Sequence, residues 1–167
     1  MSFATSLLPE FDQEMAATRR LLERVPEAEA AWRPHPKSST LGELAIHLSN
    51  LPLWGRLTVE LPELDLGLPE NANLVRVPFT STLDLLERFD RHARDARAAL
   101  ASASDEAMGA PWSLRNAGRT VFTLPRAAVL RSFVMSHMIH HRGQLTVYLR
   151  LRDVPLPSTY GPSADAR

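Results

Sequence analysis

Apolar residues recur at steps of three and four in four separate stretches of this chain, and each stretch reads as an amphipathic helix. Between Thr5 and Val25 the stripe runs through Leu8, Phe11, Met15, Thr18, Leu22 and Val25. Pro26, Pro34 and Pro36 then break the chain around Trp32, a large side chain suited to capping a core. Thr40 and Glu43 form a T-x-x-E capping box, after which Leu44, His47, Leu48, Leu51 and Trp54 share one face. Pro52 inside that run predicts a kink or the end of its regular part, and Pro62 and Pro69 mark a long connection to about Pro78.

A third helix follows an N-terminal signal at Ser81 and Asp84, with Leu86, Phe89, Ala93, Ala96 and Leu100 as its inner stripe to about Ala103. From Ser104 to Leu124 the periodicity lapses. Trp112-Ser-Leu-Arg, Asn116-Ala-Gly and Arg119-Thr-Val-Phe fit a small hairpin or an ordered loop, and the loop is the preferred reading. The last helix is expected to be capped by Thr123, with Pro125 in its first turn, and to run to about Arg152 before Pro155 and Pro157 forbid continuation. Its stripe is Leu130, Val134, His137, His141, Leu145 and Tyr148. Four helices with one short and two long connections predict an all-α fold, a four-helix bundle with at least one crossover. At 167 residues one domain spanning 1–167 is expected.

Composition narrows the function classes. Lysine plus arginine equals aspartate plus glutamate at 19 each, so no net field draws the chain to nucleic acid or anionic lipid. No stretch approaches the roughly 18 apolar residues of a membrane span, and no secretory leader is visible, so a cytoplasmic location is expected. With no cysteine, thiolate ligands and disulfides are impossible, and any nucleophilic sulfur has to arrive on a substrate.

Histidine is the informative residue type. His137 and His141 lie one turn apart, about 40° round the helix, so both imidazoles can reach one ion. His140 also shares a face with His137 but falls outside the apolar sector, which selects His141. A third imidazole, His47, lies on the apolar face of another helix. Three neutral nitrogen ligands would leave a coordination position open, as in catalytic sites. His35 and His92, among prolines and charges, are expected on the surface, as is the Arg91, Arg94 and Arg97 group. Trp32, Trp54 and Trp112 are expected in the core or at its rim, where any of them could wall a pocket.

The run His137-Met-Ile-His-His-Arg-Gly-Gln-Leu145, followed by Tyr148-Leu-Arg and a Pro-x-x-Tyr-Gly ending at Gly161, resembles the C-terminal signature of the DinB/YfiT-like proteins. Trp32-Arg-Pro and Thr40-Leu-Gly-Glu-Leu-Ala-Ile-His-Leu48 match the same family's pattern. The resemblance implies an up-down-down-up four-helix bundle, a homodimer, and a divalent ion held by one histidine of helix two and two of helix four, here His47, His137 and His141. Some relatives are thiol-dependent transferases or isomerases that use bacillithiol, mycothiol or glutathione.

Together these point first to a metal-dependent enzyme that activates a low-molecular-weight thiol against a small-molecule electrophile. His140 and Gln144 are candidates to orient ligands or substrate, and the substrate is expected between the bundle end and the loops around Trp112. A hydrolase using a metal-activated water, and a non-enzymatic metal or ligand binder, remain alternatives. Zinc, nickel, iron and manganese all suit three imidazoles.

Overall fold

The structure, a computed structural model, describes residues 2–75 and 77–165, and only the backbone of Asn73 and Val75. Long helices dominate. Helix α1 spans Phe3–Leu22, with Ser2 accepting from the Thr5 amide as its N-cap. Helix α2 spans Leu41–Glu60 and opens on the full capping box: Thr40 Oγ1 accepts from the Glu43 amide and Glu43 Oε2 from the Thr40 amide. It does not end at Pro52 but continues to Glu60. After the short helix α3 (Ala72–Val75) comes α4, Thr82–Ser102, capped by Ser81.

The expectation of an all-α, four-helix bundle is corrected by a three-stranded mixed sheet. Strand β1 (Glu63–Asp65) runs parallel to β2 (Pro111–Asn116), and β2 pairs antiparallel with β3 (Arg119–Pro125). The stretch read as a loop is therefore a hairpin. Its two turn residues, Ala117 (φ 49°) and Gly118 (φ 78°), both adopt the positive φ that a two-residue hairpin turn requires. Asp65 holds the turn from the neighbouring strand: Oδ1 accepts from the Ala117 amide at 2.8 Å and Oδ2 from the Gly118 amide at 2.7 Å. These bonds hold the Asp65 carboxyl below the usual aspartate range, the Gly118 amide most strongly. Trp112 and Leu114, alternate residues of β2, join Leu64 and Val129 in a second apolar cluster beneath the sheet.

The last helical run also departs from expectation. Thr123 belongs to β3, where its hydroxyl meets Ser113 Oγ at 2.7 Å, so it caps nothing. Helix α6 (Arg126–Val129) follows Pro125 directly, widens into a π-helical segment at Leu130–Ser136, and continues as α7, His137–Arg150. Short helix α5 (Asp105–Gly109) precedes the hairpin. Arg126 ties these pieces together by donating to the carbonyl oxygens of Thr58, at 2.9 Å, and Leu61, at 3.1 Å, where α2 ends.

The main core lies between α1, α2, α4 and α7, around Leu21, Leu48, Leu85, Phe89, Met138 and Leu145. One ionic cluster is buried in it. Arg142 and Glu14, 3% and 5% exposed, are paired at 2.6 Å. The Tyr160 hydroxyl lies 2.9 Å from both Glu14 carboxylate oxygens and accepts from Arg142, which fastens the chain beyond α7 back onto α1. No described helix is long and apolar enough to cross a membrane.

Candidate metal centre

Helix α2 brings His47 and α7 brings His137 and His141 to one place, and the three imidazoles face one another. His47 Nε2 lies 3.3 Å from His137 Nε2, and His141 Nε2 lies 2.8 Å from it. One ligand atom from each residue falls within 4.8 Å of the other two.

On α7 the fully buried side chains are Met138, Arg142, Leu145 and Leu149. Counting about 100° per residue, His137 and His141 sit on the shoulder of that stripe and not at its centre. They are half-buried in consequence. His140 is exposed, with its ring 4.9 Å from that of His141.

The Nδ1 atoms fix the chemistry of the trio. His137 Nδ1 lies 3.2 Å from the Phe133 carbonyl oxygen and His141 Nδ1 lies 2.7 Å from Gln144 Oε1. The Phe133 carbonyl can only accept, which puts the His137 proton on Nδ1; with Gln144 Oε1 turned to His141 as assigned, that ring is protonated on Nδ1 too, and each Nε2 then presents a lone pair. The 2.8 Å approach of those two Nε2 atoms has no proton to share. Bare lone pairs that close repel unless a cation lies between them.

Burial reinforces the neutral state. It pushes His47 down to about 4, with His141 and His137 adding to the effect. His137 and His141 are lowered mainly by burial too, although the Phe133 carbonyl and Gln144 oppose it. Tetrahedral nitrogen ligands at about 2.0–2.1 Å from a metal stand about 3.3 Å apart, which the His47–His137 separation matches. These three histidines could hold a metal ion.

The walls of the site combine Trp54, which the sequence pattern marked, with Phe133 and Phe122, which it did not. Trp54 stacks on Phe133 at 5.2 Å between ring centres, and its ring lies 6.0 Å from His47 and 6.3 Å from His137. Phe122 of β3 meets Phe133 at 5.3 Å, and Trp112 meets Phe122 at 6.2 Å, so an aromatic row runs from the hairpin to the histidines. Phe133 precedes His137 by four residues, a spacing that could have flagged it. Trp112 lies at the far end of the row, 1% exposed. The cleft that opens on His47 is formed elsewhere, by Ala31, Thr40, Glu43, Val77 and Phe79 among others, and has a volume of about 730 Å³. Trp112 does not line this cleft.

His92 is corrected as well. It is 8% exposed, on the inner stripe Leu85, Phe89, His92, Ala96 and Leu100 of α4, with Nδ1 2.9 Å from the Ser49 carbonyl oxygen. His35 is exposed as expected and accepts from the Lys37 amide. Arg91, Arg94 and Arg97 are exposed, and Arg97 pairs with Asp12.

Comparison with known proteins agrees with this architecture. No curated protein matches the chain. A DinB-like protein from Bacillus subtilis superposes with a TM-score of 0.67 at 19% identity, over 97% of this chain and 99% of that one. A DinB-like protein from Bacillus cereus gives 0.69 at 20% identity, over 92% and 95%. At those identities the likeness is one of fold. The model of the DinB family matches residues 1–166, nearly the whole sequence, and on that ground the chain belongs to the DinB family.

Proposed function

We propose that this protein is a metal-dependent enzyme in which His47, His137 and His141 hold one divalent ion and a low-molecular-weight thiol supplies the nucleophile for a group transfer. The observation that carries the metal is the pair of bare Nε2 atoms 2.8 Å apart, each fixed by an acceptor on its Nδ1. Support for the thiol comes from chemistry: the chain has no cysteine, and three nitrogen ligands leave a position open beside a cleft of small-molecule size.

Bound in this site, a divalent cation supplies the positive charge that favours the thiolate form of an incoming thiol at neutral pH. The protein's own residues bind and orient. Ile46, Val77 and Phe79 give the cleft apolar walls, while Thr40 and Glu43 give it a polar rim one to two turns from His47. Trp54 and Phe133, stacked on each other, give His47 and His137 an aromatic wall. Zinc, nickel, iron and manganese are all compatible with three imidazoles.

Elemental analysis of the purified protein is expected to give one divalent ion per chain. His137→Ala should lose it and His35→Ala should keep it; full occupancy in both variants would refute the site. Calorimetric titration of the metal-loaded protein with bacillithiol, mycothiol and glutathione tests the reaction class. Saturable binding of one of them that disappears with the metal supports it, and no binding by any of the three overturns the thiol while sparing the metal site. Glu43 favours a second reading, hydrolysis, because it lines the cleft one turn from His47 and only one of its carboxylate oxygens is taken by the Thr40 amide. Ester turnover abolished by Glu43→Gln would select that reading.

A further inference from the structure

A second cavity borders α2 away from the histidine trio, and arginine is its dominant polar residue. Nine residues separate His47 from Arg56, which at about 100° per residue is half a turn round the helix. The cavity has a volume of about 330 Å³, at the low end of the range of about 300–1,000 Å³ that small-molecule sites occupy. Leu57, Leu64 and Leu74 are among its apolar walls, and Arg56, Arg91, His92, Asp95 and Asn71 line its polar side.

The polar side is short of acceptors. Arg19 and Arg97 show how arginine is usually satisfied here: each is forked onto one carboxylate, Asp90 at 2.7 and 3.0 Å and Asp12 at 2.8 and 2.9 Å. Arg56 is not. Its Nε is buried without a hydrogen-bond acceptor, and its nearest carboxylates stand off at 3.5 Å (Glu60) and 3.6 Å (Asp95). Arg91 forms no ion pair among the described residues, and Asp95 is drawn at 3.4 Å toward Arg94 as well. His92, more than nine-tenths buried, is bound through Nδ1 to Ser49, and its Nε2 has no partner among the described residues. Two guanidinium groups and a buried imidazole thus face an apolar recess that holds one shared carboxylate.

We propose that this cavity is a second ligand site, binding a small carboxylate with an apolar body. Arg56 and Arg91 receive the carboxylate in the fork geometry that guanidinium groups favour, and the leucines take the hydrocarbon. Leucine walls and small volume favour such a molecule over a nucleotide or a sugar phosphate.

The test is calorimetric titration of the purified, metal-loaded protein with octanoate, with octanol as the uncharged control. Expected are one octanoate per chain and affinity at least about tenfold above that of octanol, as for charge-assisted hydrogen bonds. Arg91→Gln, an exposed position whose change leaves the fold intact, should weaken octanoate about tenfold, and Arg56→Gln should do the same. His137→Ala should leave octanoate binding unchanged. Absence of saturable binding, equal affinity for octanol, or indifference to both arginine variants would overturn the proposal. Loss of binding in His137→Ala would overturn it too, because the carboxylate would then be sitting on the metal.

Discussion

Gln144 determines which nitrogen of His141 faces the other imidazoles. Its Oε1 accepts the Nδ1 proton at 2.7 Å, and without it the ring is free to turn or to change tautomer. Gln144→Ala is expected to weaken metal affinity about 10–100-fold, read by competition with a chromogenic chelator, while Gln144→Glu, which keeps the acceptor, should retain it. His92 gives the molecule an acid-sensitive point. Burial holds it below the usual histidine range, and Arg91, Arg88 and Arg56 add to this against the opposing Ser49 carbonyl. In the unfolded chain the ring takes a proton near 6.5, which the folded state resists, so stability present above that pH falls as acid is added. Thermal midpoints of metal-free protein between pH 7.5 and 5 should drop less steeply in His92→Gln than in the wild type. His137 and His141 were readable because one helical turn suffices to align them. His92 was not, because the charged residues beside it belong to the other face of α4 and hide a stripe of spacing four, three, four and four.

The hairpin contributes through its hold on Gly67 and Asp65. A Cβ on Gly67 would lie 2.2 Å from the Ala117 nitrogen, closer than any packing allows, so Gly67→Ala should force the turn away from β1. The expected cost is about 1–3 kcal/mol by urea denaturation, as for overpacked sites. Loss of fluorescence blue shift from Trp112, the indole buried under the sheet, would show that the damage starts there. Sequence pattern missed this sheet for physical reasons. Only Trp112 and Leu114 alternate inward on β2, β3 is largely exposed, and β1 is three residues long, so no strand shows enough period-two signal. The four long helical runs were legible because each carries a stripe over several turns.

Across the whole molecule, α1, α7 and the chain beyond α7 are joined by Glu14, Arg142 and Tyr160. Removing one member of a buried ion pair leaves a charge with no compensation, typically at about 3–5 kcal/mol. Glu14→Ala should therefore destabilise by that amount in urea, and the double variant Glu14→Ala with Arg142→Met should recover part of the loss, because it removes the stranded charge. Arg142 sits between His141 and Gln144 in sequence yet points into the core, about 100° round the helix from His141. Adjacent residues of α7 thus serve the site and the core, a division that helix periodicity made visible for the histidines and left unassigned for the arginine.

The widened turn at Leu130–Ser136 gives the last helical run one residue of slack. A π segment of this kind absorbs an extra residue without rotating the helix on either side of it. Deleting exposed Ser132 should let the run close as ordinary α-helix with His137 and His141 still turned toward His47, and metal content should survive. Deleting Ile139, between the two histidines, changes their spacing from four to three and should abolish it. Length variation among relatives is thus expected to be tolerated upstream of His137 and forbidden just beyond it.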